Sequence, residues 1–266
     1  MTIQENAPLI EKMELVVGDP ILINNENQDE LMNECLPLLN QFAPESVTRT
    51  FFTERKSNTY ITLVKARDSK DGKEKIVGAS GFKIDQPETK KGGGKPVKVM
   101  YRSFTFIGPE ARGGGQYSII QTKVEKMAQK EGAEYQALRT QNGRVWETAQ
   151  KSFKDGDTYP NPKTAEAEIP EEVTAIAQYY NMNPDGTEKP MKNLVTLTPF
   201  YAQLAPVERK CKDPSNTEFL ENLFREADIL FKEKGLVDQE QEFGGIESVH
   251  PYAIMVVSKF KQEEAD

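Results

Sequence analysis

The feature that most constrains this chain is a run of three glycines, Gly113–Gly115, between a strand pattern and a helix pattern. Residues 97–107 are rich in β-forming side chains, and from Tyr117 to Met127 apolar residues recur at helical spacing. Adjacent glycines cost roughly 0.5–1 kcal/mol each relative to alanine in regular structure. A turn that wraps an anion requires them, because a helix N-terminus offers unsatisfied N–H groups and partial positive charge.

The residues around the run narrow the choice of anion. Arg112 supplies a guanidinium that suits phosphate. A nucleoside-triphosphate loop would end in Gly-Lys-Ser or Gly-Lys-Thr, but Gly115 is followed by Gln116, and a dinucleotide fingerprint starting at Gly113 fails at Ser118. A second run, Gly92–Gly94, has no periodic element after it, and we predict an exposed, mobile loop there.

Composition excludes several classes of protein. The chain has 266 residues, 37% of them hydrophobic, and no stretch approaches the roughly 18–20 apolar residues of a membrane span. Acidic residues near the N-terminus and only two cysteines predict a cytoplasmic protein without a disulfide framework. The net charge of −8 disfavours nucleic acid and anionic membranes and is compatible with cationic substrates.

The scarcity of histidine and cysteine removes further chemistries. The single histidine, His250, precedes a proline and a strand pattern, and we expect it to pack or cap rather than catalyse. No Gly-x-Ser-x-Gly elbow exists, and a Cys/His zinc site is nearly excluded, so no metal is expected. We expect Cys35 and Trp146 to be buried, and Cys211 to lie in an exposed loop where basic neighbours could lower its pKa.

The order of patterns predicts an α/β or α+β fold in one domain, with a sheet of about six or seven strands. Residues 59–67 and 75–84 predict a β-hairpin, and residues 135–140 a strand. Helical spacing over 27–42 is expected to be interrupted or ended by Pro37. Asn142 is a plausible N-cap of the next helix, and a Ser215–Glu218 capping box predicts the start of the clearest helix, 215–235.

The pattern Ile107-x-Pro109-x-x-Arg112-Gly113-x-Gly115, after a strand and before a helix, resembles the GNAT superfamily of N-acyltransferases. That family's motif is [Arg/Gln]-x-x-Gly-x-[Gly/Ala] after a strand ending in Val-x-Pro. Tyr117 stands where the final Gly/Ala is usual, so the turn must accommodate a larger side chain. The resemblance covers roughly residues 59–153, including Asn142 and Phe153 at the expected spacing.

The resemblance implies a GNAT-like fold: a mixed, mostly antiparallel sheet flanked by helices. It implies that acetyl-CoA is the co-substrate and that its pyrophosphate binds at residues 112–117, which are Arg112, Gly113, Gly114, Gly115, Gln116 and Tyr117. It further implies that a backbone N–H around Ile107 polarises the thioester carbonyl. Asn142 would hydrogen-bond the pantetheine arm.

The resemblance also directs the search for acid–base residues. Tyr101, Ser103 and Thr105 are expected on one face of the strand with Ile107, because strand side chains alternate. Tyr101 is the best titratable candidate, as a group that orders a water, whereas Thr105 is expected to pack. The usual acid for the leaving thiolate is a tyrosine seven residues after Asn142, where this chain has Ala149, and Tyr159 is a possible substitute.

Three interpretations follow. The first is an acyl-CoA-dependent N-acyltransferase that acts on a small-molecule or peptide amine. The second is a GNAT-like module that binds CoA or a partner without catalysis, favoured by Ala149 and the lack of an obvious base. The third is an α/β protein with no CoA site. In each, residues 1–266 form one domain, with an N-terminal extension 1–26 and a helix-bearing elaboration 158–266.

Overall fold

The computed structural model describes nine ranges of the chain: 13–53, 58–68, 72–87, 96–153, 157–162, 169–182, 186–198, 210–238 and 251–260. The expectations for His250 and for Gly92–Gly94 fall outside the described residues and stay predictions.

Ten strands and six helices are present within these ranges. The strands are β1 Met13–Val17, β2 Ile21–Leu22, β3 Asn58–Asp68, β4 Glu74–Asp85, β5 Val99–Ile107, β6 Tyr135–Thr140, β7 Thr158–Tyr159, β8 Met191–Lys192, β9 Val195–Leu197 and β10 Tyr252–Lys259. The helices are α1 Gln28–Leu39, α2 Glu45–Thr53, α3 Gln116–Lys130, α4 Gly143–Ser152, α5 Glu171–Tyr180 and α6 Pro214–Glu233.

The chain divides into two compact units, of which the first comprises Met1–Ile84 and Arg102–Gly132. Its strands follow the order β1-β3-β4-β5, and β2 also pairs with β3. The predicted hairpin is confirmed, since β3 and β4 pair antiparallel with an irregularity between Val64 and Lys65. An apolar core joins this sheet to α1 and α2; its fully buried members include Cys35, Phe52, Ile61 and Ala79.

The second unit comprises Asp85–Tyr101 and Ala133–Asp266. Its strands follow the order β5-β6-β10-β9-β8, and β7 also pairs with β10. One apolar cluster contains Leu138, Ile254 and residues of α4 and α6. The alternate residues Ala137 and Met255 pack with α5 in another cluster, so helices cover both faces of this sheet.

Strand β5 contributes residues to both units, Val99–Tyr101 to the second and Arg102–Ile107 to the first. The expected fold class is confirmed: the sheet is mixed and largely antiparallel, and helices flank it. In the described ranges the sheet has ten strands rather than about six or seven, because it includes the two-residue strands β2, β7 and β8. The single-domain interpretation stays a prediction.

Two helix ends differ from the prediction. Helix α1 continues through Pro37 because the proline is exposed in the last turn, and the carbonyl that loses its bond belongs to exposed Asn33. Helix α6 begins one residue before Ser215: Asp213 is the N-cap, its side chain accepts the Ser215 N–H, and Pro214 takes the first helical position.

Within the described ranges, no helix has the length and the apolar composition needed to cross a membrane.

Candidate functional site

The glycine turn is positioned by the end of β5. The N–H of Gly108 donates to the Val77 carbonyl at 2.7 Å, which fixes the strand end against β4. A 3-10 turn, Pro109–Ala111, follows, and its Ala111 side chain is buried. The chain then passes through Arg112 and the three glycines into α3, as the sequence predicts.

The glycines are required by the backbone conformation of the turn. Gly113 and Gly115 have φ values of 89° and 76°, in the region that L side chains rarely adopt. Among the described residues, nothing lies within 4 Å of a Cβ placed at either position, so the turn is open on that side. A Cβ on Gly114 would lie 2.5 Å from Nε2 of Gln116, whose buried amide covers that residue.

The N–H groups of residues 113–118 have no hydrogen-bond acceptor in the part of the chain that the structure describes; the first N–H of α3 with a partner belongs to Ile119, bonded to Gly115. The Oε1 atom of Gln116 is buried there and also has no donor among the described residues. N–H donors that are free at a helix N-terminus form an arrangement that binds anions.

The other described helices have a side-chain N-cap or an acidic residue in the first turn, and α3 has neither. Helices α4 and α6 have side-chain N-caps, Asn142 and Asp213. Helices α1, α2 and α5 carry acidic residues in the first turn, which complement the helix dipole. Of the helices in the described ranges, α3 alone has neither a capping side chain nor an acid, so its N-terminal positive charge is uncompensated.

Arg112 lies beside this turn. Its Nε donates to the Ile107 carbonyl at 3.1 Å, and the side chain is exposed. The bond ties the Arg112 side chain to the end of β5, at the residue that precedes the glycine run. The structure therefore brings together Ile107, Arg112 and residues 113–117, all in the first unit; Ser103, half-buried on β5, belongs to that unit too.

Tyr117 is accommodated by a contact that the sequence did not reveal. Its hydroxyl accepts a hydrogen bond from Arg102 at 3.0 Å, and the same Arg102 nitrogen donates to Oε1 of Gln121 at 2.7 Å. Gln121 in turn donates to Glu125. Burial raises the pKa of Glu125 above its ordinary value, partly offset by the Gln121 hydrogen bond and the charge of Arg102. Tyr117, Gln121 and Glu125 recur every four residues on one face of α3.

Asn142, in the second unit, is the N-cap that the sequence predicts. Its Oδ1 accepts from the N–H groups of Arg144 and Val145 at 2.9 and 3.2 Å. Its own N–H donates to Thr140. The side-chain Nδ2 is a donor that capping does not use, so a contact with a bound molecule stays open to it.

Tyr101 and Tyr159 also lie in the second unit. The ring of Tyr101 stacks on that of Tyr180, with centroids 4.2 Å apart. Burial, followed by the negative charge of Asp85, raises the pKa of Tyr180. Tyr159 is half-buried in β7 and packs with the cluster under α5. The two candidate tyrosines therefore have aromatic and apolar surroundings.

The helix face that carries Ala149 is covered. Ala149 and the fully buried Trp146 belong to the same cluster as Leu220 and Phe224 of α6. Trp146 is a core residue, as expected. Within this unit, α6 occupies the space beside Ala149 where a larger side chain would extend.

The expectation for Cys211 is wrong. Its side chain is half-buried against the α4–α6 cluster. Burial, followed by the negative charge of Glu147, raises the pKa of the Cys211 thiol to about 12, because these outweigh the basic neighbours in sequence. Cys35 is buried, as expected, and burial raises the pKa of its thiol to about 12.

No family model matches the chain, and no curated protein matches it.

Several solved structures are similar to part of the chain. Arabidopsis thaliana NAA60 in complex with acetyl-CoA is 12% identical, with a TM-score of 0.38, over 55% of this chain and 87% of that one. The aminoglycoside N-acetyltransferase AAC(6')-Iy in complex with CoA is 14% identical, with a TM-score of 0.33, over 48% and 78%. A GNAT family acetyltransferase from Staphylococcus aureus is 17% identical, with a TM-score of 0.31, over 46% and 82%.

The three solved structures named above are GNAT acetyltransferases, the family that the sequence motif resembles.

Proposed function

We propose that this protein is an acyl-CoA-dependent N-acyltransferase that transfers an acetyl group from acetyl-CoA to a small-molecule or peptide amine. The observation that carries the proposal is the row of N–H groups at 113–118, which have no acceptor among the described residues and belong to the glycine run and the first turn of an uncapped helix.

The residues present fit a pyrophosphate. Gly113 and Gly115 leave open space for close approach to the backbone, and no acid in the first turn of α3 repels an anion. The helix dipole adds positive charge at the same point, typically worth 0.3–1 kcal/mol for a nearby anion. The tethered guanidinium of Arg112 would be a secondary contact.

Bound acetyl-CoA would supply the acyl group as a thioester, whose carbonyl carbon an amine attacks while the carbon–sulfur bond breaks. We assign the backbone around Ile107 to polarise the thioester carbonyl and the Nδ2 of Asn142 to contact the pantetheine arm. Tyr101 or Ser103 would order a water that takes the amine proton, and Tyr159 would stand in for the missing acid. A thiol of pKa about 8.5 also leaves as thiolate without an acid.

A CoA-binding module without catalysis is the second candidate. The burial of Ala149 against α6 favours it, because no acid can replace that side chain without displacing the core. Turnover of acetyl-CoA with a panel of amines separates the two candidates. Both cysteines are free thiols, which suits a reducing compartment, and we place the protein in the cytoplasm.

The turn is tested by calorimetric titration of folded variants with acetyl-CoA. Gly113→Asp places a carboxylate against the phosphates, and like charges at about 4 Å repel by roughly 4 kcal/mol at an effective dielectric of about 20. Affinity should fall by about two to three powers of ten. Gly113→Asn is the matched control, because it carries the same backbone strain without the charge. Arg112→Ala should cost less than Gly113→Asp, since the N–H groups remain.

Absence of binding by the wild type at millimolar acetyl-CoA would reject the proposal. So would equal affinities of the Gly113→Asp and Gly113→Asn variants, because the turn would then not face an anion.

A further inference from the structure

We propose that Arg102 is a positioning residue that holds the Tyr117 side chain away from the glycine turn and so keeps the turn open to phosphate. The inference rests on the proposed function, because it concerns the same turn.

A side chain at position 117 extends toward the glycine run. Tyr117 is the second residue of α3, directly after Gln116. Side chains on a helix lean toward its N-terminus and cover the turn that precedes their own Cα. For Tyr117 that turn is the glycine run. Without a restraint, its ring has access to the open space at Gly113 and Gly115.

Arg102 restrains the Tyr117 side chain by two contacts. Arg102 donates to the Tyr117 hydroxyl at 3.0 Å, and its guanidinium carbon lies 5.8 Å from the centre of the tyrosine ring. A hydrogen bond to the end of the side chain and a cation–π contact to its face together fix the ring against β5.

Arg102 is itself held in place by burial and by a second hydrogen bond. The residue is only 4% exposed, and the same nitrogen donates to Gln121 at 2.7 Å. Gln121 is buried and donates to Glu125 one turn further along α3. The anchor of the tyrosine is therefore built into the strand–helix packing of the first unit.

The consequence is specific to this chain. A small residue at position 117 needs no restraint, whereas a tyrosine there is compatible with an open turn only while its hydroxyl is held. Arg102 and Tyr117 should therefore act as a pair, and the effect of removing Arg102 should depend on the presence of the Tyr117 ring.

A double-mutant cycle with acetyl-CoA and with inorganic pyrophosphate as probes tests the pair by calorimetry. Arg102→Met should weaken binding of both probes at least tenfold, because the freed ring covers the turn. Tyr117→Ala removes the ring but keeps the backbone N–H groups, and its affinity is the reference for the second half of the cycle. The double variant should bind within about threefold of Tyr117→Ala, so that Arg102→Met costs little once the ring is gone. Arg49→Met, at an exposed arginine in the same unit, is the control and should change nothing.

Tyr117→Phe keeps Arg102 in place and covers the case in which Arg102→Met does not fold. It removes the acceptor of the hydrogen bond, and it should weaken binding in the same direction as Arg102→Met, by a smaller factor. Wild-type affinity in the phenylalanine variant would overturn the inference.

The remaining outcomes separate the two proposals. If Arg102→Met is folded and the alanine does not rescue it, Arg102 acts by charge or by structure alone and the tether is rejected. If the wild type binds pyrophosphate but not acetyl-CoA, the proposed function fails and the tether is judged on the pyrophosphate series. If the wild type binds neither, both fail.

Discussion

The side-chain amide of Asn142 has an acceptor, Oδ1, and a donor, Nδ2, with separate roles. Its Oδ1 caps α4 by accepting from Arg144 and Val145. The Nδ2 donor is the part that the family resemblance assigns to the pantetheine arm. An aspartate at position 142 would still cap α4, because a carboxylate also accepts from N–H groups at a helix N-terminus. It would have no Nδ2 to donate to the pantetheine arm.

We therefore expect Asn142→Asp to unfold at nearly the wild-type denaturant concentration, and Asn142→Ala to lose about 1 kcal/mol of stability. Acetyl-CoA affinity should fall in both variants. Chemical denaturation and calorimetry measure the two effects separately. Unchanged acetyl-CoA affinity of the aspartate variant would mean that Asn142 acts only as a helix cap.

Cys211 shows how the folded environment reverses an expectation from neighbouring residues. With the pKa of the thiol raised to about 12, mainly by burial, the reactive thiolate is scarce at neutral pH. The pKa of Cys35 is raised to the same value by burial. We expect neither thiol to react rapidly with a disulfide reagent at pH 8 in the native protein, and both to react in denaturant. Rapid labelling of the Cys211 thiol before unfolding would contradict its position against α6.

At the scale of elements, periodicity and capping residues predicted much of the fold. The hairpin of β3 and β4, the strand β6, and the helices α3 and α4 follow from spacing and from the N-cap signal of Asn142. Gly132 has a φ of 81°, the left-handed conformation of a helix C-terminus. These features are local, so a single segment contains the information.

What the sequence did not predict depends on partners far along the chain. Arg102 stands two residues before Phe104 in a strand pattern, and nothing nearby indicates that it is buried beside Tyr117 and Gln121. The N-cap of α6 is a separate, local difference: the Ser215–Glu218 capping box competes with the Asp213-Pro214 pair as a start signal. The strand–glycine–helix order of the turn was predicted from the sequence; the hydrogen bond between Arg102 and Tyr117 was not.

The junction of α4 and α6 depends on one carboxylate. Glu147 accepts from the N–H groups of Lys212 and Asp213, at 2.7 and 3.0 Å, and from the Asn216 amide. Burial alone would raise the pKa of Glu147, but these hydrogen bonds outweigh it and hold the pKa below its usual value of 4.5. Because the folded pKa is depressed, the carboxylate contributes its full stability above the unfolded pKa and loses it as pH falls through the folded pKa.

We expect Glu147→Gln to lower the free energy of unfolding by about 1–3 kcal/mol at pH 7, because one strong acceptor is lost at three donors. The difference from wild type should begin to shrink near pH 4.5, the ordinary pKa of the unfolded carboxyl, and should disappear below the depressed folded pKa, where the native carboxyl is also protonated. Urea unfolding at pH 7 and at several pH values below 4.5 measures the difference. Glu218→Gln, at an exposed glutamate of α6, is the control and should change little. A constant difference across this pH range would mean that ionisation of Glu147 does not matter.

At the scale of the whole molecule, the question is whether the two compact units unfold together. Strand β5 passes from one to the other between Tyr101 and Arg102 without a linker. A domain boundary normally falls in an exposed, flexible connection rather than inside a strand. This favours the single-domain interpretation of residues 1–266, for which unfolding is one cooperative event.

We accordingly expect one thermal transition that acetyl-CoA raises as a whole. At a ligand concentration of 100 times Kd, binding adds about 2.7 kcal/mol, which corresponds to a Tm increase of roughly 5–10 °C for a chain of this size. Scanning calorimetry at increasing acetyl-CoA measures the number of transitions and their shifts together. Gly113→Asp should unfold in one transition as well, but without the shift, since its turn repels the phosphates. Two transitions, of which acetyl-CoA moves only one, would show instead that the units are separate domains and that the acetyl-CoA site belongs to one of them.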